Sequence, residues 1–235
     1  TSATQATPIP DFVELKKPIR VDFSSKETVA GLSIKTVEQS SNNRLQTLGN
    51  TLRQLENQPG IIFCNFKDTI QSVSEFLDKN NMPHSTFFGG MEQVDRERAL
   101  IKFRNGTHKL LLATDLAARG IDIPELKFII HYQLPIKLEE FTHRNGRTAR
   151  MHANGTAYVI IDPKERIPEY FQHIETTLFT TTKEPTTENL PVLNFQTLYI
   201  TGGRKDKISK GDIVGLFMKQ GGLTNEELGT IEIKL

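Results

Sequence analysis

From Pro59 onward the sequence alternates short, continuous apolar runs with longer amphipathic stretches, and that rhythm restricts the fold more than any other feature. The apolar runs fall at 60–65, 84–88, 109–113, 128–131 and 156–161; between them, 67–80, 93–104 and 137–144 read as helices. A strand that is apolar at every position has no face to offer water, so it belongs in a parallel sheet covered by helices on both sides. The expectation is an α/β fold. Ligands of such sheets bind beyond the carboxyl ends of the strands. Polar residues stand there: Asn65 after the first run, Gly89-Gly90 after the second, Thr114-Asp115 after the third. Upstream, Leu45, Leu48, Leu52 and Leu55 recur at threes and fours and predict a helix over 42–57.

Charge narrows the functional classes. Lys+Arg 29 against Asp+Glu 28 leaves a net charge of +1, so any attraction for nucleic acid must come from local basic surfaces. Three are present: Arg96, Arg98, Lys102 and Arg104; the arginines of 144–150; and Arg204, Lys205, Lys207 and Lys210. The single cysteine, Cys64, excludes an internal disulfide and is compatible with a reducing cytosol. The six histidines show no metal-ligand spacing. No run approaches the ~18 to 20 apolar residues that cross a bilayer, and no leader-like start is present. The expectation is a soluble, cytoplasmic protein without a membrane partner.

The densest basic stretch is His143-Arg144-Asn145-Gly146-Arg147-Thr148-Ala149-Arg150. Arg147 and Arg150 are three apart, so on a helical turn their guanidinium groups leave the same face and can converge on one anion. A guanidinium is planar, permanently charged and fork-shaped, suited to a phosphoryl group on which charge builds during transfer. Taken alone, an arginine triplet is more often a basic helix paired with acidic neighbours. Further stretches favour phosphate chemistry. In Thr114-Asp115-Leu116-Ala117-Ala118-Arg119-Gly120-Ile121-Asp122, a hydroxyl and N–H groups at a strand end can grip a nucleic-acid phosphate, and a carboxylate eight residues later can accept from a ribose. Gln93 and Arg96 sit one turn apart near a helix start, where free N–H groups favour phosphate.

These stretches together resemble the DEAD-box RNA helicases. His-Arg-x-Gly-Arg-x-x-Arg is similar to motif VI, the Thr114 to Asp122 run to motif V, Gly89 through Arg96 to the Gln-x-x-Arg region, residues 60–65 with Phe63 to motif IV, and Ser2-Ala3-Thr4 to motif III. Phe88 stands where many members have histidine, and Ala149 where many have glycine. The resemblance implies a RecA-like parallel sheet. It implies Arg147 and Arg150 as catalytic residues at the γ-phosphate, with Gly120 and Asp122 also on the nucleotide. It implies Gly89, Gln93, Arg96, Thr114 and Arg119 as RNA contacts, and Ser2, Thr4, His143 and Arg144 as residues coupling two domains. The cofactor implied is ATP with magnesium. The chain contains neither a Gly-x-x-x-x-Gly-Lys-Ser/Thr loop nor Asp-Glu-Ala-Asp, so the magnesium site and phosphate loop would belong to a first RecA-like domain of the same protein, and this chain alone should be inactive.

Domain organisation is expected as follows: 1–40, the end of a first RecA-like domain and a connector; 41–178, the second RecA-like domain; 179–194, a Thr- and Glu-rich linker; 195–235, a second unit. That unit reads as a strand at 198–201, a basic loop, a helix at 212–219 and a strand opening at 230–234. It resembles the start of the RNA-binding domain of DbpA-like helicases, an incomplete RRM-like α+β fold, which implies Arg204, Lys205 and Lys207 as further RNA contacts. A helix is also expected from 162 to about 177. The reading is the C-terminal half of an ATP-dependent RNA helicase acting on RNA, specifically structured ribosomal RNA. The alternative is a non-catalytic RNA-binding or scaffold module on the same fold.

Overall fold

Side chains of successive strand residues point to opposite faces of a sheet, and in the computed structural model of this protein both sets are buried in the central strands. The structure describes residues 31–39, 43–56, 58–118, 126–148, 154–181 and 195–233. Seven strands, β1 (Leu32–Glu38), β2 (Gly60–Phe63), β3 (His84–Phe87), β4 (Leu110–Ala113), β5 (Phe128–His131), β6 (Gly155–Ile161) and β7 (Thr177–Leu178), form one sheet in the order β3-β4-β2-β5-β6-β1-β7. Every pairing is parallel.

Ile62, Leu112, Ile130, Tyr158 and Ile160 face one way and pack with Leu48 and Leu52 of α1 (Arg44–Gln54) and with Ile70, Val73 and Leu77 of α2 (Lys67–Lys79). Their neighbours Ile61, Leu111, Ala113, Ile129 and Ala157 face the other way, against Ala99 and Phe103 of α3 (Gln93–Arg104) and Ala117 of α4 (Asp115–Ala118). Phe141 of α5 (Leu138–Asn145) packs with Val159 and Phe171. The expected α/β architecture, helices on both faces of a parallel sheet, is the observed one. Gly60 is required by packing: a Cβ there would stand 2.3 Å from the Phe128 ring on the neighbouring strand.

Three expectations are corrected. The connector expected over 1–40 gives way at Leu32 to β1, which pairs along its whole length with β6 and on its other side with β7. Its alternating Leu32, Ile34 and polar residues suit a strand near a sheet margin, and its partner lies more than a hundred residues away in the chain. The helix expected after Ile161 is only a 3-10 turn, Glu169–His173. Pro163 and Pro168 interrupt the segment by removing N–H donors and fixing φ. In the tail, 198–201 and 230–233 form no strand. A strand is held by ladder partners, and a two-stranded unit is marginal in water. What forms is local: α6 (Lys210–Gly215), capped by Ser209, whose N–H and hydroxyl donate to Asp212 Oδ2 at 2.8 and 2.7 Å. These bonds hold the Asp212 carboxyl below its usual range.

Candidate functional site

The strand order places β2 at the switch point, because the chain runs β2 to β3 to β4 on one side and then crosses to β5 and β6 on the other. A crevice opens beyond the carboxyl ends of strands at such a point. Asn65 follows β2, Thr114 and Asp115 follow β4, and Gln133 follows β5. Arg144 ties Asn65, Asp115 and Gln133 together there, and Thr114 lies beside Asp115.

Arg144, on α5, has a side chain only 1% exposed. Its Nε donates to Asp115 Oδ1 at 2.7 Å and its Nη2 to Asp115 Oδ2 at 2.5 Å, a bidentate pair. Nη2 also donates to Asn65 Oδ1 at 2.7 Å, and Nη1 to the Gln133 carbonyl at 2.8 Å. The guanidinium carbon lies 5.1 Å from the centre of the Phe63 ring. Asn65 in turn donates from its backbone to Gln133 Oε1 at 3.0 Å and from Nδ2 to the Leu134 carbonyl at 2.9 Å. A buried arginine is tolerable only with its charge paired and its donors largely occupied, and here the charge is paired and every guanidinium nitrogen has an acceptor. Of the residues expected to couple this domain to another, Arg144 has its guanidinium spent inside the domain, where it joins the ends of three strands to α5.

His131 fills the space beneath. It is fully buried, stacks on Phe141 at 4.6 Å, and has Nε2 3.0 Å from Asn145 Oδ1. An amide oxygen only accepts, so the Nε2 carries the proton in this assignment. Its buried Nδ1 meets no hydrogen-bond partner among the described residues. Burial, with the Arg144 guanidinium adding to it, pushes the imidazole down to about 3. Cys64, next to the knot in sequence, is also fully buried. Burial pushes its thiol up to about 12, with Arg144 and Arg44 pulling only partly back. An inert thiol of this kind is core, not nucleophile.

Arg147 stands in the turn that ends α5, half-buried, between anchored neighbours. Its N–H donates to the Arg144 carbonyl at 3.1 Å, and the buried Thr148 hydroxyl donates to the Leu126 carbonyl at 2.7 Å. The residue is thus carried on a rigid base. His143 lies one residue before Arg144 and is half-buried. Thr114, half-buried, donates its N–H to the Phe87 carbonyl at 3.3 Å, which closes the end of β4 against β3. Across the same rim, exposed Gly89 precedes Gly90, whose φ of +89° makes the turn into α3. Gln93 is exposed on the first turn of α3, with Nε2 3.0 Å from Glu97 Oε1. Arg96 lies with its guanidinium 4.7 Å from the Phe87 ring centre. Arg204, Lys205 and Lys207 are exposed in and after a 3-10 turn of the tail, Arg204–Asp206. Ser2, Thr4, Arg119, Gly120, Asp122 and Arg150 lie outside the described residues.

Asn65, Asp115, Gln133 and Asn145 were not read from the sequence as members of one network. The available signal was placement: Asn65 and Asp115 each follow an apolar run at the carboxyl edge. Nothing local marks Gln133. Among the described residues no three His, Cys, Asp or Glu side chains gather as a metal site, and no helix is long and apolar enough to cross a membrane.

The family model of the helicase conserved C-terminal domain matches residues 43–152, and that of the DbpA RNA binding domain matches residues 197–235. The ATP-dependent RNA helicase DbpA of Escherichia coli (strain K12) is 30% identical over 222 residues, covering 93% of this chain and 48% of that protein. The protein of the same name from Bacillus subtilis (strain 168) is 31% identical over 234 residues, covering 87% of this chain and 49% of that protein. The chain spans about half the length of these relatives. Among solved structures, the C-terminal domain of the DEAD-box protein Dbp5 aligns with a TM-score of 0.55 at 27% identity, over 66% of this chain and 93% of that one. Dbp5 of S. cerevisiae bound to RNA and ADP BeF3 aligns at 0.56 and 26%, over 63% of this chain and 42% of that one. With the fold, the strand order and both sequence matches in agreement, the chain belongs to the DEAD-box ATP-dependent RNA helicases, as a helicase C-terminal domain followed by a sequence of the DbpA RNA-binding type.

Proposed function

We propose that this chain is the C-terminal half of an enzyme that couples ATP hydrolysis to the remodelling of structured RNA, with ribosomal RNA as its target class. The observation that carries the reading is the knot around Arg144, which holds the ends of β2, β4 and β5 and the turn bearing Arg147 in one frame. Arg147, with Arg150, reaches the γ-phosphate; Gly120 and Asp122 contact the nucleotide. ATP supplies the free energy that drives closure and release. A first RecA-like domain of the same protein supplies the phosphate loop and magnesium, and Ser2, Thr4 and His143 serve the coupling of the two domains. Gly89, Gln93, Arg96, Thr114 and Arg119 hold RNA phosphates, contacts that position a strand without reading its bases. Arg204, Lys205 and Lys207 add a second basic surface in the tail.

A guanidinium acting on developing charge is not replaced by an ammonium, which offers one point where the arginine offers a fork. In the protein joined to a matching first domain, Arg147→Lys should lower RNA-stimulated ATP turnover by on the order of 10³ to 10⁵ while nucleotide-free RNA binding stays near the parent value. Turnover within a few fold of the parent would remove Arg147 from the catalytic role and favour a non-catalytic RNA-binding module.

A further inference from the structure

Helix α3 is polar on most of its surface. Of its twelve residues only Ala99 and Phe103, one turn apart, are buried against the sheet. A helix with so narrow an apolar stripe commonly bridges to something else. Here the outer side of α3 and the turn after it meet the tail. Asn105, which ends α3, donates from Nδ2 to Thr197 Oγ1 at 2.7 Å and accepts the Thr107 N–H on Oδ1 at 3.0 Å. The Thr107 hydroxyl, in a residue only 8% exposed, lies 2.8 Å from the same Thr197 oxygen. Two residues on, the Tyr199 ring receives the Arg98 guanidinium at 4.3 Å from its centre. From the other end of the tail, Glu232 Oε1 stands 3.8 Å from Arg104 Nη1. The two ends of the tail also meet each other, since a Cβ on Gly229 would lie 3.8 Å from Phe195 Cδ1.

We propose that the tail docks on α3 through 195–199 and Glu232, an intramolecular interface that fixes its basic turn relative to the Gln93 and Arg96 end of the same helix. The hydrogen-bonded triad and the cation–π contact carry it. The Arg104–Glu232 pair, partly exposed, adds little, as surface pairs do. The geometry bounds what docking achieves. Thr197 is seven residues before Arg204, a reach of at most about 25 Å, and α3 is about 18 Å long. The tail's basic residues therefore stay within one short RNA element of Arg96, whereas a tail free from residue 182 would wander. The consequence for RNA rests on the proposed function; the docking does not.

The test uses the full chain without RNA. Backbone ¹⁵N relaxation should show residues 204–220 tumbling with the sheet. In the double variant Thr197→Val, Tyr199→Ala the tail should tumble faster than the sheet, and amide exchange at 210–220 should rise about tenfold, the factor equivalent to about 1.4 kcal/mol. Tyr199→Phe keeps the ring over Arg98 and should behave as the parent. Independent tumbling in the parent chain, or parent-like tumbling in the double variant, would overturn the docking. A second arm titrates a structured RNA hairpin and a short single strand: the double variant should lose affinity for the hairpin and not for the strand. Absence of RNA binding by the parent counts against the proposed function and leaves the docking result standing.

Discussion

Arg144→Ala is the substitution whose cost the structure fixes most closely. It removes the bidentate partner of Asp115 and leaves Asn65 Oδ1 and the Gln133 carbonyl each short of a donor. Breaking a buried ion pair by deleting one partner costs about 3 to 5 kcal/mol, and an orphaned buried acceptor about 1 to 3. These do not add, because water can enter the space left behind. Asp115 keeps a side chain 21% exposed, so hydration recovers part of its loss and the total should fall near 3 to 4 kcal/mol. Against the ~5 to 15 kcal/mol of an ordinary domain, that is a large fraction. For a chain of this length it corresponds to a fall in Tm of roughly 6 to 16 °C. Arg144→Lys keeps the charge but offers one donor point where four acceptor oxygens wait, so it should recover less than half. The assay is urea unfolding followed by circular dichroism, with Asp115→Ala and the double variant completing a cycle. The pair should show a coupling energy of at least about 1 kcal/mol. A loss below about 1 kcal/mol for Arg144→Ala, or additive single losses, would refute the view that this knot holds the carboxyl edge together.

His131 makes stability depend on pH, with a definite sign. Its folded value of about 3 lies below the ~6.5 of an exposed imidazole, so between these the unfolded chain binds the extra proton. Stability should decline as pH falls from about 6.5, by up to about 1.4 kcal/mol per pH unit from this one group. The partly exposed His108, also lowered by burial and by Lys102, acts in the same direction. His131→Gln should be less stable at pH 7.5 yet show a shallower slope between pH 6.5 and 5; identical slopes in denaturation curves would dismiss the assignment. Gly60→Ala should cost about 1 to 3 kcal/mol through overpacking against Phe128, measured by the same unfolding assay, and Phe128→Leu in the same chain should relieve it. If the single variant matches the parent, the close approach of ring and backbone is not what the glycine serves.

What the sequence determined by itself is what depends on neighbours in the chain. The apolar runs that became β2, β4, β5 and β6 declare themselves because a strand buried on both faces leaves few polar positions, and α1 and α2 because their apolar residues recur at the helical period. The carboxyl-edge location of Asn65, Thr114 and Asp115 followed from the same alternation. Tertiary structure decided everything that needed a distant partner. Leu32–Glu38 has the composition of a connector until β6 pairs with it, and Leu198 to Thr201 has the composition of a strand but no ladder to join. Arg144 and Arg147 differ by three positions and share one chemistry. One turns inward because Asp115, Asn65 and Gln133 converge on it from three strand ends, while the other remains half-exposed on the turn beyond. Hydrophobic periodicity is written into adjacent residues, but the destination of a charged side chain is set by which acceptors the fold brings within hydrogen-bond distance, and those come from residues 11, 29 and 79 positions away.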